Sequence, residues 1–321
     1  MSTPPSSVIT IDCQYDHLER AAAFLLLEGN RAVFVDNNTT LAVPHLLAAL
    51  AEQGYTPDQV DYAIITHVHL DHAGGTAELI KHCPNATVLA HPKAARHLID
   101  PSRIIAGATA VYGAETFAAR YGIIEAVPEA RVRSMEDGET VAWGRRTLTF
   151  LHTKGHASHH FCIHDSGDNM VFAGDAFGLS RMATMRPGPA FTVCTSSPPE
   201  FDPGEARISV QRILDTGAAW VYVTHFGCFD DLQVRAEQLL RSIDDLERIG
   251  REAASTSLSG EALQAFCQPL VVAAFERHLR ECGVMDVDAD MVWLEEDIRL
   301  NAMGLGFYVE RLRRALHPPA P

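Results

Sequence analysis

The chain has 321 residues, 47% of them apolar and 21% charged, with a formal net charge of −15. That length holds one large domain, or a large domain with an appendage, and the composition is ordinary for a globular protein. The acidic balance disfavours a chain that lives on phosphate backbones, since such binding needs clustered Lys and Arg.

Seven cysteines are scattered with no C-x-x-C spacing, which reads as reduced thiols in a cytoplasmic protein. The start "MSTPPSS" is polar and Pro-rich, without a basic segment followed by an apolar one. No apolar run is long enough to span a bilayer. The expected partners are therefore a small-molecule substrate, with no nucleic acid and no membrane.

In chain order, "VITIDCQY", "AAAFLLLEG" and "RAVFVD" read as strands, with Gly29-Asn30 turning between the last two. Asp36 closes the third. "TLAVPHLLAALAEQG" has helical spacing through Leu46, Leu47 and Leu50 and stops at Gly54. "DYAIIT" is a buried strand, "GGTAELIKHC" opens a helix, and "ATVLAH" is another strand. Residues 93–122 have helical stretches broken by Pro101 and several glycines, and read as a helical insertion. "RVRSM", "RTLTFLHT", "HHFCIHD" and "NMVFAGD" follow as strands, with turns at Asp137-Gly138 and Ser166-Gly167. Residues 177–202 read as a long loop near a site. "GEARISVQRILDTG" is a helix and "AAWVYVTHFG" a strand ending at His225.

Beyond Asp230 the pattern is helical only. Leu232, Ala236, Leu239, Leu240, Ile243 and Leu246 form one stripe. Leu263, Phe266, Leu270, Ala274 and Phe275 form a second; Leu305, Tyr308, Val309, Leu312 and Leu316 form a third. These read as packing faces. The expected division is a catalytic domain over 1–230 and a helical extension over 231–321. The extension could cover the mouth of the site, pack on the core or form a homodimer contact.

The stretch "THVHLDHAGG" puts His67, His69, Asp71 and His72 into six positions after a buried strand. Polar side chains there cost stability unless something satisfies them, and a metal would. Imidazole and carboxylate suit zinc, with iron or manganese as alternatives. A solvated histidine-rich loop is the bland alternative. His156 follows the strand "RTLTFL", while Asp175, His225 and Asp36 each end an apolar strand. Loops at such ends can converge on one rim. Four polar strand ends beside one dense cluster make coincidence a poor account.

With these residues in hand, the sequence resembles the metallo-β-lactamase superfamily, and within it the glyoxalase II-like hydrolases of a bacterial and archaeal subgroup. The resemblance runs over residues 7–230 in motif order, and "HLIDPSR", "PPEFDP" and "VTHFG" sharpen it. It implies an α/β fold, the αββα four-layer sandwich, here with a C-terminal helical extension. It implies two divalent metals, zinc by expectation. His67, His69 and His156 would hold the first, and Asp71, His72 and His225 the second, with Asp175 bridging. A shared hydroxide would be the nucleophile, and one metal would polarise the scissile carbonyl.

Some positions depart from the family. His159 stands where a glycine is common and reads as exposed. His160 is the candidate to orient a ligand or carbonyl, weighed against a plain buried histidine. Asp36 could orient ligands, although "DNNTT" replaces the usual loop. Cys228 reads as packing. Tyr112 and Tyr121 are candidate acids, with core aromatics the stronger reading.

The function implied is hydrolysis of a thioester, a lactone or a related ester. A persulfide dioxygenase with one iron, a small phosphoester hydrolase and a protein with a vestigial site are the alternatives.

Overall fold

The computed structural model describes residues 3–180 and 190–316. Residues 181–189 of the expected 177–202 loop, and the Leu316 side chain of the third stripe, lie outside the described residues. Two compact units emerge. The first holds the described residues up to His152, with 159–174 and 216–230; the second holds 153–158 and the described residues of 175–215 and from Asp231 onward.

The first unit carries twelve strands. One sheet is made of β1 (Val8–Asp12), β2 (Ala22–Glu28), β3 (Arg31–Val35), β4 (Val60–Ile65), β5 (Thr87–Ala90) and β6 (Val132–Ser134), adjacent in that order. The second contains β7 (Thr140–Trp143), β8 (Arg146–His152), β9 (Phe161–Asp165), β10 (Met170–Gly174), β11 (Trp220–Val223) and β12 (Gly227–Phe229). β3 to β6 run parallel, as do β10 and β11. The remaining pairings are antiparallel.

The inner strands β2 to β5 of the first sheet are largely buried on both faces, which is why they read as near-continuous apolar runs. Phe24 of β2 meets Phe172 of β10 and Tyr222 of β11, with ring centroids 5.6 and 5.3 Å apart, so this face packs on the second sheet. Leu25, next along β2, points the other way. There, with Ile11, Phe34, Ile65 and Val88, it joins a core built with three helices. These are α1 (Val43–Glu52), α3 (Thr76–His82) and α4 (Pro92–Ile99), which contribute Leu46, Leu50, Leu79, Ile80 and Leu98; the short α2 (Leu70–Ala73) precedes α3. Burying each large side chain contributes roughly 1.5–3 kcal/mol.

The helical insertion is present as α5 (Ser102–Tyr112) and α6 (Ala114–Tyr121), separated from α4 by Pro101 and from each other by Gly113. No residue of α5 is fully buried. Its Ile104, Ala108 and Tyr112, four positions apart, rest half-buried on Tyr15, Leu70 and Tyr121.

The second unit is helical: α7 (Pro203–Asp215), α8 (Leu232–Ala254), α9 (Gly260–Glu281), α10 (Val287–Trp293) and α11 (Glu295–Leu316). α8, α9 and α11 pack against one another, and α7 against α8. The expected stripes are their seams. Leu239, Ile243, Leu246, Leu263, Phe275, Leu305 and Val309 are buried, while Leu240, Phe266, Leu270 and Leu312 are half-buried. No helix among the described residues is long and apolar enough to cross a membrane.

Candidate metal centre

The carboxylate of Asp36 organises the site within the first unit. It is buried, at the end of β3, in left-handed backbone with φ 55°. Its Oδ1 accepts from the Thr66 amide at 2.9 Å and its Oδ2 from the Thr224 hydroxyl at 3.1 Å. The Thr66 hydroxyl donates to the same carboxylate at 2.9 and 3.0 Å. On the remaining side Oδ2 faces His72 Nδ1 at 2.8 Å. An ionised carboxylate only accepts, so His72 carries its proton on Nδ1 and its lone pair on Nε2.

Asp36 also sets His67 at one remove. The Thr66 hydroxyl spends its proton on Asp36, so it can only accept from His67 Nδ1, 3.2 Å away. That leaves the lone pair of His67 on Nε2, which lies 2.9 Å from His69 Nδ1. The His67 ring is buried and the His69 ring half-buried.

His225 follows the same rule from the far end of the chain. Its Nδ1 donates to the Arg20 carbonyl at 2.8 Å, so Nε2 holds the lone pair, 3.4 Å from Asp71 Oδ2. The ligand atoms of Asp71, His72 and His225 all lie within 4.8 Å of one another. An imidazole pair with tautomers set from behind, facing one carboxylate, is the donor set that divalent zinc, iron or manganese takes. The residues present therefore fit a metal.

The "DNNTT" departure has a local reason. The Asn37 and Asn38 amides both donate to the His72 carbonyl, at 2.9 and 3.2 Å, and Asn38 Nδ2 donates to the Asp71 carbonyl at 2.8 Å. This loop grips the backbone of the motif turn that carries Asp71 and His72.

His160 is fully buried, its ring centroid 4.9 Å from that of His67. Its place depends on Gly174, which the sequence reading did not single out. Gly174 has φ +48°, and a Cβ there would lie 2.6 Å from His160 Nε2 and 2.8 Å from Thr66 Oγ1. His159, expected to be exposed, is instead half-buried, its ring centroid 5.7 Å from that of His69, and its Nδ1 lies 3.4 Å from the Val68 amide. Cys228 is half-buried on β12, and burial pushes its thiol up to about 12.

Tyr121 is buried with its hydroxyl 3.2 Å from that of Tyr15, a residue the sequence reading passed over. Burial, then the Asp71 carboxylate, raises both phenols well above their ordinary range, so both stay protonated. Tyr112 is half-buried beside them.

The second unit holds the other two candidates. His156 and Asp175 are both buried, with His156 Nε2 3.4 Å from Asp175 Oδ2. They line a small cavity with Lys154, Cys194, Thr195 and Leu239. Burial, with the Asp175 charge adding to it, raises the Cys194 thiol far above its ordinary value, so it stays protonated.

A fold of two facing sheets with these His and Asp side chains at strand ends defines a class, and the comparisons place the chain in it. The family model "Metallo-beta-lactamase superfamily" matches residues 21–250, and the chain belongs to that superfamily. A hydroxyacylglutathione hydrolase of Aeromonas salmonicida is 26% identical over 169 residues, 53% of this chain and 50% of that protein. The acyl-coenzyme A thioesterase MBLAC2 of Homo sapiens is 28% identical over 175 residues, 50% of this chain and 60% of that protein. The chain thus spans about half to three-fifths of these curated relatives. Among solved structures, a metallo-beta-lactamase family protein from Thermus thermophilus has a TM-score of 0.63 at 19% identity, covering 97% of this chain and 95% of that one. An archaeal metallo-beta-lactamase superfamily protein from Sulfolobus tokodaii has a TM-score of 0.59 at 20% identity, covering 87% of this chain and all of its own. These two likenesses speak to the fold, which is the metallo-β-lactamase α/β sandwich with a helical C-terminal region.

Proposed function

We propose that this chain is a dinuclear metal-dependent hydrolase that opens thioesters, lactones or related esters, with zinc as its metal. The observation that carries the reading is the pair of tautomer-setting contacts, His72 to Asp36 and His225 to Arg20, which leave two Nε2 lone pairs beside Asp71. Support for an ester or thioester substrate comes from the hydroxyacylglutathione hydrolase and the acyl-coenzyme A thioesterase among the relatives.

In this reading His67, His69 and His156 would hold one cation and Asp71, His72 and His225 the other, with Asp175 serving both. When bound, two such cations supply a hydroxide at neutral pH and polarise the scissile carbonyl. The chain's own work is to hold geometry. Asp36 fixes His72 directly and His67 through Thr66, and it raises the basicity of both as donors. Asp71 and Asp175 balance the cations' charge. The buried Tyr15 and Tyr121 hydroxyls, kept protonated, form an uncharged wall on the Leu70–Asp71 side. A thiolate leaves without acid assistance, so a thioester needs no proton from this wall.

The test is metal analysis of the purified chain with a panel of thioesters, lactones and phosphoesters. We expect close to two first-row metals per chain, removed by a strong chelator together with thioesterase or lactonase activity. One iron per chain with oxygen uptake on a persulfide overturns the reading.

A further inference from the structure

The C-terminal helix α11 has no motif, yet it is tied to the loop that brackets His156. We propose that Arg311 is a positioning residue for His156, acting through residues 199–202, and that α11 thereby sets a metal ligand; this rests on the proposed function.

The chain of contacts lies wholly within the second unit. Arg311 donates to the carbonyls of Pro199 and Phe201, the two residues that flank Glu200. The Glu200 carboxylate accepts from the Ser158 amide at 2.5 Å and the Ser158 hydroxyl at 3.2 Å. One residue past Phe201, the Asp202 amide donates to the Gly155 carbonyl at 2.8 Å. Gly155 precedes His156 and Ser158 follows it by two positions, so the ligand-bearing turn is clamped from both sides. A planar guanidinium suits this task, because its fork can serve two carbonyls at once and so holds residues 199–201 in one shape.

The rest of α11 points the same way. Asn301 accepts from the Ser196 amide at 2.8 Å and from its hydroxyl at 2.7 Å. Gly304 lets the helix backbone approach Ser196 so closely that a Cβ would sit 1.4 Å from the Ser196 carbonyl oxygen. Tyr308 packs edge-on against Phe201 with centroids 5.8 Å apart. Successive turns of one helix thus hold one loop, at Ser196, Pro199 and Phe201. Ser196 and Phe201 are fully buried, whereas Pro199 is exposed and Glu200 half-buried, so burial accounts for the ends of this loop but not for the guanidinium clamp around Glu200. It is explained if the loop is the back support of His156.

The experiment is a double-mutant cycle on the full chain, read as metal affinity by competition with a chromogenic chelator and as the visible spectrum of the Co(II)-loaded protein. His156→Ala, Arg311→Met and the double variant are compared, with thermal melting of each apo form as the control for folding. The expected result is a loss of up to about 10-fold in affinity for Arg311→Met, the low end of what losing a direct partner of a ligand costs, a changed Co(II) spectrum, and no further loss when it is added to His156→Ala. Equal losses in both backgrounds make Arg311 a general stabiliser and overturn the proposal, as does unchanged affinity in Arg311→Met. Unchanged affinity in His156→Ala sinks the assignment of His156 itself and hence the underlying reading. Should Arg311→Met fail to fold, Glu200→Ala runs the same cycle, since it releases Ser158 without touching α11.

Discussion

Asp36 and His72 meet at 2.8 Å with both side chains almost wholly shielded from solvent, and the carboxylate holds the imidazole in a single tautomer. Residues 36 positions apart thus act as one unit: the strand-end acid is the reason the motif histidine presents Nε2.

Replacing the carboxylate should show this. In Asp36→Ala we expect metal affinity to fall about 10–100-fold, because His72 and, through Thr66, His67 lose their orientation. The Thr66 and Thr224 donors also lose their buried acceptor, at a cost of about 1–3 kcal/mol per group. Chelator competition and denaturant melts on the apo protein separate the two effects. Metal affinity equal to that of the unmodified chain would remove Asp36 from the site.

Gly174→Ala tests the close approach beside Asp175. The added methyl would meet His160 Nε2 at 2.6 Å and Thr66 Oγ1 at 2.8 Å, at a backbone φ of +48°. We expect a destabilisation of about 1–3 kcal/mol, partly recovered in the double variant with His160→Ala, which opens the space. Thermal melts of the three proteins decide. A Gly174→Ala chain as stable as the parent would show that the second sheet yields at little cost.

These two residues also mark where the sequence was legible. His67, His69, Asp71 and His72 stand out because ligand chemistry demands those side chains within a few positions, and Asp36, Asp175 and His225 stand out as polar ends of apolar strands. Gly174 does not, since its reason is the ring of His160 and the hydroxyl of Thr66, the latter 108 positions away. Arg311 is equally silent, 110 positions from the Phe201 carbonyl that it serves. Strand β7, "TVAW", carries no legible signal either. Four residues between two glycine turns carry too little alternation to distinguish from a loop, and its pairing with β8 is set by the turn at Gly144. Strand β12, three residues long, failed to register for the same reason. The C-terminal stripes were readable because 3.6-residue periodicity accumulates over twenty-residue helices.

His278 gives the helical unit a pH dependence. It is buried on α9, 3.2 Å from Asp245 of α8. Burial lowers its pKa below the usual 6.5, against the opposing pull of Asp245. The unfolded chain therefore takes up the proton first as pH falls. The ring's contribution is fully present above pH 6.5 and is lost as pH drops toward the depressed folded value, by at most about 1.4 kcal/mol per pH unit. Melting temperatures from pH 8 to 5 should fall more steeply for the parent than for His278→Gln. Parallel curves would show that the ring titrates alike in both states.

Asp175→Ala separates a bridging carboxylate from a turn residue. The backbone carbonyl of Asp175, not its side chain, accepts from the Gly178 amide at 3.1 Å, so the turn keeps that bond in the variant. The side chain faces His156, whose Nε2 lies 3.4 Å from Oδ2. If Asp175 balances charge between two cations, its removal should leave His67, His69 and His156 able to keep one metal while the second is held more weakly. Metal content should drop from about two per chain toward one, and turnover at neutral pH by orders of magnitude, since two cations lower the pKa of the attacking water more than one. Raising the pH should recover part of the rate, because the defect is then a shortage of hydroxide rather than of fold. The Asp175→Asn variant keeps the shape without the charge and should behave alike. Stoichiometry and a pH–rate profile on protein shown to be folded by circular dichroism settle the matter. Two retained metals with near-normal turnover would place the bridging role elsewhere.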